Sequence, residues 1–323
     1  MEKNAVSIIA PIYNEEAIIE ELHRRLTPVL EGMMRPFEVI LVNDGSRDRS
    51  LEMMLSLSQR DPRYKVINFS RNFGHQIAIT AGMDYANGDA VVIIDADLQD
   101  PPEVIPRLVA KWQEGFDIVY AVREKRKGET FFKKMTASMF YRTLKRITNV
   151  DIPVDTGDFR LMSRRALEKL KTIRERHRFV RGLVSWIGFP QTGVSFVREE
   201  RFAGETKYPL RKMLKFAFDG ITSFSFLPLQ LATYMGFLVS GFAFLGILLV
   251  VLMKIFTNAT ITGWSSTMAA VLFMGGVQLI TIGIIGEYIG RIYDEVKQRP
   301  LYIVQDLVGL DESKLFEEEI AKK

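Results

Sequence analysis

The sequence predicts an α/β fold built on a mainly parallel sheet and followed by a pair of membrane-spanning helices. Between residues 5 and 97, apolar strand-like segments alternate with helix-like segments, a pattern typical of parallel strands covered by helices on both faces. Two long segments without charge follow in the last third of the chain. A length of 323 residues is consistent with one or two domains.

Strands and helices are predicted in alternation along the first part of the chain. The strands cover residues 5–14, 37–46, 64–74 and 90–97. The helices cover residues 15–30, 51–59 and 75–86, and one face of the first helix carries Ile18, Leu22, Leu26 and Leu30. Each strand ends in polar residues. Since parallel strands end at one edge of the sheet, we expect these four ends to form one ligand-binding site.

Composition excludes several classes of protein. The net charge of +4 does not argue for a nucleic-acid partner, and none is expected. The absence of cysteine excludes disulfides and thiolate metal sites, and three histidines do not favour a histidine-built zinc site. No Walker loop occurs and no G-x-G-x-x-G follows the first strand, so an ATPase or a dinucleotide enzyme of the usual kind is not predicted.

Residues 229–253 and 266–288 are predicted to be the membrane helices. The first span carries no charge, and the second lies in the uncharged stretch 255–286 except for its last two residues. Each is long enough to cross about 30 Å of hydrocarbon. The alternative is a pair of buried helices in a large soluble core, where such runs are rare. Only Lys254 is basic in the linker, which places both flanks and both termini in the cytoplasm. The basic residues of the flanks are Arg201, Lys207, Arg211, Lys212, Lys215, Arg291, Lys297 and Arg299.

Residues 208–228 predict an amphipathic helix on the membrane surface. Leu210, Leu214 and Phe218 recur at helical spacing beside basic residues that would face anionic head groups. An ordinary surface helix is the alternative. Residues 286–290 read GEYIG, whose small-residue spacing lets helices approach closely. We therefore expect a homo-oligomer, with a tetramer among the options.

An acidic cluster follows the fourth strand directly. The apolar run VVII leads into Asp95, Asp97 and Asp100, and then into two prolines. Two carboxylates one residue apart at a strand end can turn toward one ion, and hard cations such as Mg²⁺ or Mn²⁺ take oxygen ligands. The alternative is that Asp95 and Asp97 only cap the next turn.

Five motifs carry a resemblance to a known family. In order they are PIYNEE, VNDGS, DADLQDPPE, TGDFRLMSRRAL and RFAGETKYP, and a two-helix hairpin follows them. This arrangement resembles the polyprenyl-phosphate glycosyltransferases of glycosyltransferase family 2, which include dolichyl-phosphate mannose synthase and undecaprenyl-phosphate glucosyltransferases. The resemblance covers nearly the whole chain.

The resemblance implies a domain plan in a bacterial inner membrane. It implies a GT-A-like, Rossmann-type nucleotide-sugar domain in the cytoplasm over residues 1–207, then the amphipathic juxtamembrane segment 208–228. The two transmembrane helices would occupy residues 229–290, and a cytoplasmic tail would occupy residues 291–323.

The resemblance also implies a donor site for a UDP-sugar. In this sequence Pro11, Tyr13 and Glu15 stand where the family holds the base and ribose, although core packing is an alternative for Tyr13. Asp44 would hydrogen-bond the base. The metal ion would contact Asp97 and Gln99, with Asp95 nearer the ribose or sharing the ion. The donor diphosphate would contact Arg178 and Arg181.

Asp158 stands where the family places a catalytic residue usually described as a general base. A phosphate monoester has a second pKa of about 6, so the acceptor has already lost its proton at neutral pH. We therefore expect Asp158 to orient the sugar or the acceptor, with Asp155 as a competing candidate. The residues expected to bind the acceptor phosphate are Arg123, Lys134, Ser138, Arg201 and Lys207. For Lys134, a solvated surface charge is the alternative.

The predicted reaction is the inverting, metal-dependent transfer of glucose from UDP-glucose to undecaprenyl phosphate. Other sugars, namely N-acetylglucosamine, galactose, mannose or a modified arabinose, remain open. A processive synthase is not favoured, because no Q-x-x-R-W motif occurs. A non-catalytic membrane scaffold would have lost some of the acids. A phosphosugar transferase would release a nucleoside monophosphate, whereas the predicted enzyme releases a diphosphate.

Overall fold

The computed structural model describes residues 4–123, 156–197, 227–256 and 263–311. The chain divides into two compact units. The first consists of Met1–Phe216 together with Pro300–Lys323, and the second is Ala217–Arg299. The predicted amphipathic helix, apart from its last two residues, lies outside the described residues.

The first unit contains eight strands among its described residues. They are β1 (Val6–Ile12), β2 (Phe37–Asn43), β3 (Tyr64–Phe69), β4 (Ala90–Ile93), β5 (Ile118–Arg123), β6 (Thr156–Ser163), β7 (Gln191–Phe196) and β8 (Val304–Val308). The helices are α1 (Ile19–Gly32), α2 (Ser50–Arg60), α3 (His75–Tyr85), α4 (Ile105–Gln113), which follows a 3₁₀ turn at Pro102–Val104, α5 (Arg164–Lys171) and α6 (Val180–Trp186).

All eight strands form one sheet in the order β7-β5-β6-β4-β1-β2-β3-β8. Its centre is parallel, because β1 pairs in parallel with β4 and β2, and β2 pairs in parallel with β3. β6 runs antiparallel to β4 and β5, and β8 runs antiparallel to β3. The predicted α/β fold is therefore confirmed, and β6, β7 and β8 are additions that the alternation of strands and helices did not indicate.

The hydrophobic core lies between the sheet and the helices α1, α2 and α4. Every residue of β1 is buried, as expected for a central strand covered on both faces. The apolar face predicted for α1 is also buried. Burying a leucine side chain contributes roughly 1.5–3 kcal/mol, so this face alone fixes the helix on the sheet. The core thus holds the carboxyl ends of β1, β2, β3 and β4 side by side.

The second unit contains two long helices, α7 (Leu227–Phe256) and α8 (Trp264–Val296). Each includes a stretch long and apolar enough to cross a membrane, Leu229–Gly246 in α7 and Phe273–Val296 in α8. Large apolar side chains on both helices are exposed, among them Phe237, Phe242 and Leu279. Both helices extend beyond the predicted spans, and their exposed apolar surface is typical of contact with lipid or another protein.

Candidate active site

The loops after β2 and β3 are joined by Asp44, which follows β2. The Asp44 carboxylate is buried and accepts hydrogen bonds from the backbone N–H of Phe73 at 2.7 Å and of Gly74 at 3.1 Å. The side chain of Asn72 donates a third bond at 2.9 Å. Burial raises the pKa of Asp44 despite these bonds. Gly45 has φ +67°, and a Cβ there would lie 2.5 Å from the Asn72 nitrogen. The loops after β2 and β3 are therefore packed closely together and joined by hydrogen bonds.

The loop after β1 is tied to the loop after β2. The backbone N–H of Asn14, at φ +53°, donates to Ser46 Oγ at 3.0 Å, and that of Glu15 donates to Ser50 Oγ at 2.9 Å. The side chain of Tyr13 is 38% exposed, so it is not a core residue, whereas Pro11 is buried within β1. The predicted base and ribose residues therefore lie at the end of β1 and on the loop after it, which is hydrogen-bonded to the loop that carries Asp44.

Asp95 and Asp158 face a common histidine at the start of α3. His75 Nε2 lies 3.4 Å from Asp95 Oδ1 and 3.4 Å from Asp158 Oδ2. Burial by itself would lower the pKa of His75, but the two carboxylates raise it to about 9. A protonated imidazole therefore bridges the acid that follows β4 and the acid within β6. The predicted acids are brought together, and His75 was not predicted.

Both carboxylate oxygens of Asp158 have protein partners. Arg181 Nε donates to Oδ1 at 2.9 Å, and Gln76 Nε2 donates to Oδ2 at 3.0 Å. Gln76 also accepts a bond from the backbone N–H of Val180 at 3.0 Å, which fixes the first turn of α6 to α3. Burial by itself would raise the pKa of Asp158, but Arg181 and His75 outweigh it and hold the pKa well below its ordinary value.

The loop after β4 holds the remaining acids. Leu98 has φ +57°, and Asp97 Oδ1 accepts a bond from the backbone N–H of Gln99 at 3.1 Å. Asp100 is fully buried and lies 3.5 Å from the Arg123 guanidinium. Gln99 is half-buried at the same turn.

The surroundings of Asp95 fit a divalent cation. Among the described residues its buried Oδ1 accepts no hydrogen bond, although His75 Nε2 lies 3.4 Å from it. Burial raises its pKa. The nearby His75 charge opposes this rise, whereas the charges of Asp158 and Asp97 add to it, and the pKa stays above its ordinary value. A nearby cation would offset this accumulation of negative charge. The described residues contain no group of three or more metal-ligating histidine or acidic side chains, so the ion would depend on Asp95, Asp97 and other oxygen donors.

Three arginine side chains surround the backbone at Gly157. A Cβ at Gly157 would lie 2.5 Å from Arg123 Nη2, so this glycine leaves the space for that guanidinium. Arg160 Nη2 donates to the Gly157 carbonyl at 2.9 Å, and Arg181 Nη1 donates to the Thr156 carbonyl at 3.4 Å. Arg160 is buried, and burial lowers its pKa to about 10. This cluster gives the site positive charge suited to an anion.

Some predicted residues lie elsewhere or outside the described part of the chain. Arg178 is buried and donates a hydrogen bond to the Ile173 carbonyl, five residues earlier in the chain. The residues outside the described ranges are Lys134, Ser138, Asp155, Arg201 and Lys207. His75, Gln76 and Arg160 were not predicted as site residues, whereas Asn72 belongs to the polar end predicted for the third strand. The sequence signal for His75 and Gln76 is that they directly follow this segment, residues 64–74.

Comparison with known proteins identifies the class of enzyme. Residues 7–171 match glycosyl transferase family 2, and residues 227–292 match the GtrB C-terminal hairpin. The chain belongs to glycosyltransferase family 2 and is a glycosyltransferase, which confirms the resemblance seen in its motifs.

Several relatives match along almost their whole length. An uncharacterized glycosyltransferase of Bacillus subtilis is 58% identical over 313 residues, with 97% of both chains covered. A prophage bactoprenol glucosyl transferase homolog of Escherichia coli is 42% identical, covering 93% of this chain and 98% of its own. A bactoprenol glucosyl transferase of Shigella phage SfII is 43% identical, covering 93% of this chain and 97% of its own.

Proposed function

We propose that this protein transfers a sugar from a UDP-sugar to the phosphate of a membrane polyprenyl phosphate. Glucose from UDP-glucose and undecaprenyl phosphate are the leading substrates. The observation that carries the proposal is the near full-length similarity to relatives named bactoprenol glucosyl transferases, at 42–43% identity. The two apolar helices support it, because a lipid acceptor requires an enzyme at the bilayer.

The donor would lie along the loops after β1, β2 and β4. Asp44 and Tyr13 would contact the nucleoside, with Pro11 and Glu15 shaping the same pocket. Because the Asp44 carboxylate is held by three donors from the loop after β3, its position is set before the donor binds. Such preorganisation avoids an ordering cost on binding.

Asp95 and Asp97, with Gln99, would hold Mg²⁺ or Mn²⁺. Such an ion, when bound, acts as a Lewis acid for the departing diphosphate. Arg181, which donates to Asp158, and Arg178 are proposed to contact the donor diphosphate. On the resemblance to the polyprenyl-phosphate glycosyltransferases, we propose a single displacement with inversion at the anomeric carbon.

The acceptor phosphate would approach Arg123 beside Gly157. Lys134, Ser138, Arg201 and Lys207 are proposed to complete this site. Asp158 would orient the sugar or the acceptor, since a dianionic phosphate has no proton for a base to remove. The paired oxygens of Asp158 suit an orienting role better than proton abstraction.

We further propose that the protein is a two-span protein of the bacterial inner membrane, with its first unit in the cytoplasm. Nucleotide-sugars are made there, and the basic flanks of the hairpin favour that orientation. The expected homo-oligomer stays a prediction.

The proposal is tested by incubating the purified full-length protein with undecaprenyl phosphate, Mn²⁺ and a panel of nucleotide-sugars. We expect a glycolipid from one sugar, with UDP-glucose giving the highest kcat/KM, and loss of product when EDTA removes the metal. If another nucleotide-sugar gives the product, only the proposed identity of the donor is wrong. Product that is undiminished by EDTA would overturn the metal site, and absence of any glycolipid would overturn the function.

A further inference from the structure

The segment after the membrane helices, residues 300–311, belongs to the first unit and forms its last strand. β8 pairs antiparallel with β3 at the edge of the sheet, with Asn68 opposite Asp306. An edge can be covered by backbone pairing alone, with no specific side chains. Here, however, two side chains of the segment reach residues that support the Asp44 loop.

The first connection is a series of side-chain hydrogen bonds. Asn68 Nδ2 donates to Asp306 Oδ2 at 2.7 Å, and Asn43 Nδ2 donates to Asn68 Oδ1 at 2.8 Å. Asn43 Oδ1 in turn accepts the backbone N–H of Ser46 at 3.1 Å. Both asparagines are almost fully buried. Since a buried amide must be satisfied, each bond fixes the orientation of the next amide.

This series ends in the loops that we assign to the donor. Ser46 follows Asp44 by two residues, and its Oγ accepts the Asn14 N–H at 3.0 Å. The loops after β1 and β2 are therefore both connected to Asp306, a residue more than two hundred positions away in the chain.

The second connection is aromatic. The ring of Tyr302 stacks on Phe69 with centroids 5.3 Å apart, and Phe69 meets Phe73 edge-on at 5.5 Å. The backbone N–H of Phe73 donates the shortest bond to Asp44, at 2.7 Å. Tyr302 is itself fixed, because its hydroxyl donates to Asp84 Oδ2 at 2.8 Å and Ser70 N–H donates to the Ile303 carbonyl at 3.1 Å.

We propose that Asp306 and Tyr302 are positioning residues for the nucleotide-sugar donor. Through Asn68 and Asn43 on one side, and through Phe69 and Phe73 on the other, they hold the loop that carries Asp44. The inference rests on the proposed function, in which that loop binds the nucleoside. The catalytic unit is then complete only when the chain has returned from the membrane helices.

The central test measures UDP binding by calorimetry in the full-length protein and in Asp306→Ala. Removing the Asp306 carboxylate leaves a buried Asn68 donor without its partner, so we expect the Kd for UDP and the KM for the donor to rise about tenfold. The KM for undecaprenyl phosphate and kcat at saturating donor should change less than about twofold, since the reacting groups are untouched.

Two variants separate positioning from general stability. Asp306→Asn retains a carbonyl acceptor for Asn68 and is expected to restore most of the UDP affinity. Gln305→Ala, at the adjacent exposed position on β8, is expected to leave it unchanged. Tyr302→Phe keeps the ring contact with Phe69 and should bind UDP more tightly than Tyr302→Ala. Thermal melting of each variant shows that it is folded at the assay temperature.

The outcomes distinguish this inference from the function on which it rests. If the wild-type protein binds no UDP, the proposed function fails, and the inference fails with it. If the wild type binds UDP and Asp306→Ala binds it equally well, only the inference is overturned. An equal loss of affinity for donor and acceptor, or no recovery in Asp306→Asn, would show that β8 acts through stability alone.

Discussion

Asp158 is the residue whose surroundings bear most directly on the chemistry. Its carboxylate is buried, bonded to Arg181 and Gln76, and close to the His75 imidazole. With its pKa held well below the ordinary value, it is a weak base at neutral pH. An acceptor phosphate that is already dianionic has no need of a stronger one.

We therefore predict that Asp158→Asn retains measurable activity. The substitution keeps the size of the side chain but weakens the bond to Arg181, so kcat/KM should fall by about 10- to 100-fold. In Asp97→Asn, which removes a proposed metal ligand, kcat/KM should fall further. Steady-state kinetics of both variants with saturating Mn²⁺ make the comparison. Equal inactivity would mean that Asp158 takes part in the chemistry.

A second prediction concerns Gly157. In Gly157→Ala the new methyl group would displace the Arg123 guanidinium, so the KM for the lipid phosphate should rise severalfold while UDP binding is retained. Gly32→Ala is the matched control, because nothing lies within 4 Å of a Cβ there. An unchanged KM for the lipid phosphate in Gly157→Ala would show that Arg123 does not bind the acceptor.

Among single residues, the sequence predicts acids and an arginine that lie together in the structure, and it predicts much less well the residues that contact them. Asp95, Asp158 and Arg181 are indicated by separate motifs, and in the structure they lie together: His75 contacts both acids, and Arg181 donates to Asp158. His75 and Gln76 were not chosen, because their importance comes from contacts with β6 and α6, which are remote in sequence. The motif alone could not reveal that Gln76 joins Asp158 to Val180.

Among the elements, β1, β2 and β3 are joined by the side chain of Glu38. It accepts bonds from Ser7 Oγ at 2.6 Å, Lys65 Nζ at 2.6 Å and the Asn87 N–H at 2.7 Å. Burial by itself would raise the pKa of Glu38, but these donors outweigh it and lower the pKa. A carboxylate that is more acidic in the folded than in the unfolded state stabilises the fold.

The sign of this effect predicts how stability depends on pH. Above the unfolded pKa of Glu38 its contribution is complete, and it is lost as the pH falls through the lower folded pKa. Glu38→Gln should therefore lower the free energy of unfolding by about 1–3 kcal/mol at neutral pH. The difference in free energy of unfolding between the wild type and this variant should become smaller in acid. Thermal melting at several pH values tests this. Glu52→Gln, in an exposed pair with Arg49, should change little at any pH. If the difference in stability between the wild type and Glu38→Gln does not change with pH, the lowered pKa of Glu38 does not stabilise the fold.

The elements differ in how well local sequence predicts them. β1 to β4 were predicted because each combines an apolar run with a polar end. β6 was missed because all eight of its residues are buried, including Asp158 and Arg160, so it shows no alternation. β8 was missed because it is short and pairs with β3 across the whole length of the chain.

For the molecule as a whole, the chain leaves the first unit, forms two helices, and returns to the same sheet. If each helix crosses the membrane once, the residues before α7 and the strand β8 must lie on the same side. From the basic flanks we propose that this side is the cytoplasm. The connectivity and the charge distribution, which are independent observations, agree.

This topology is testable by cysteine labelling, since the chain contains no cysteine of its own. Single substitutions Met34→Cys, Gln305→Cys and Ser266→Cys place a thiol at exposed positions in the first unit, on β8 and at the start of α8. With a membrane-impermeant maleimide on intact spheroplasts, we expect only Ser266→Cys to react. The other two should react after permeabilisation. Labelling of Met34→Cys in intact spheroplasts would show that the first unit lies outside the cytoplasm, opposite to the predicted orientation.

The most direct measurement follows both products of one turnover by mass spectrometry, with undecaprenyl phosphate, UDP-glucose and Mn²⁺. The account predicts that the lipid gains one hexose and that an equal amount of UDP appears. A lipid that gains a hexose phosphate with release of UMP, or hydrolysis of UDP-glucose without any glycolipid, would contradict it.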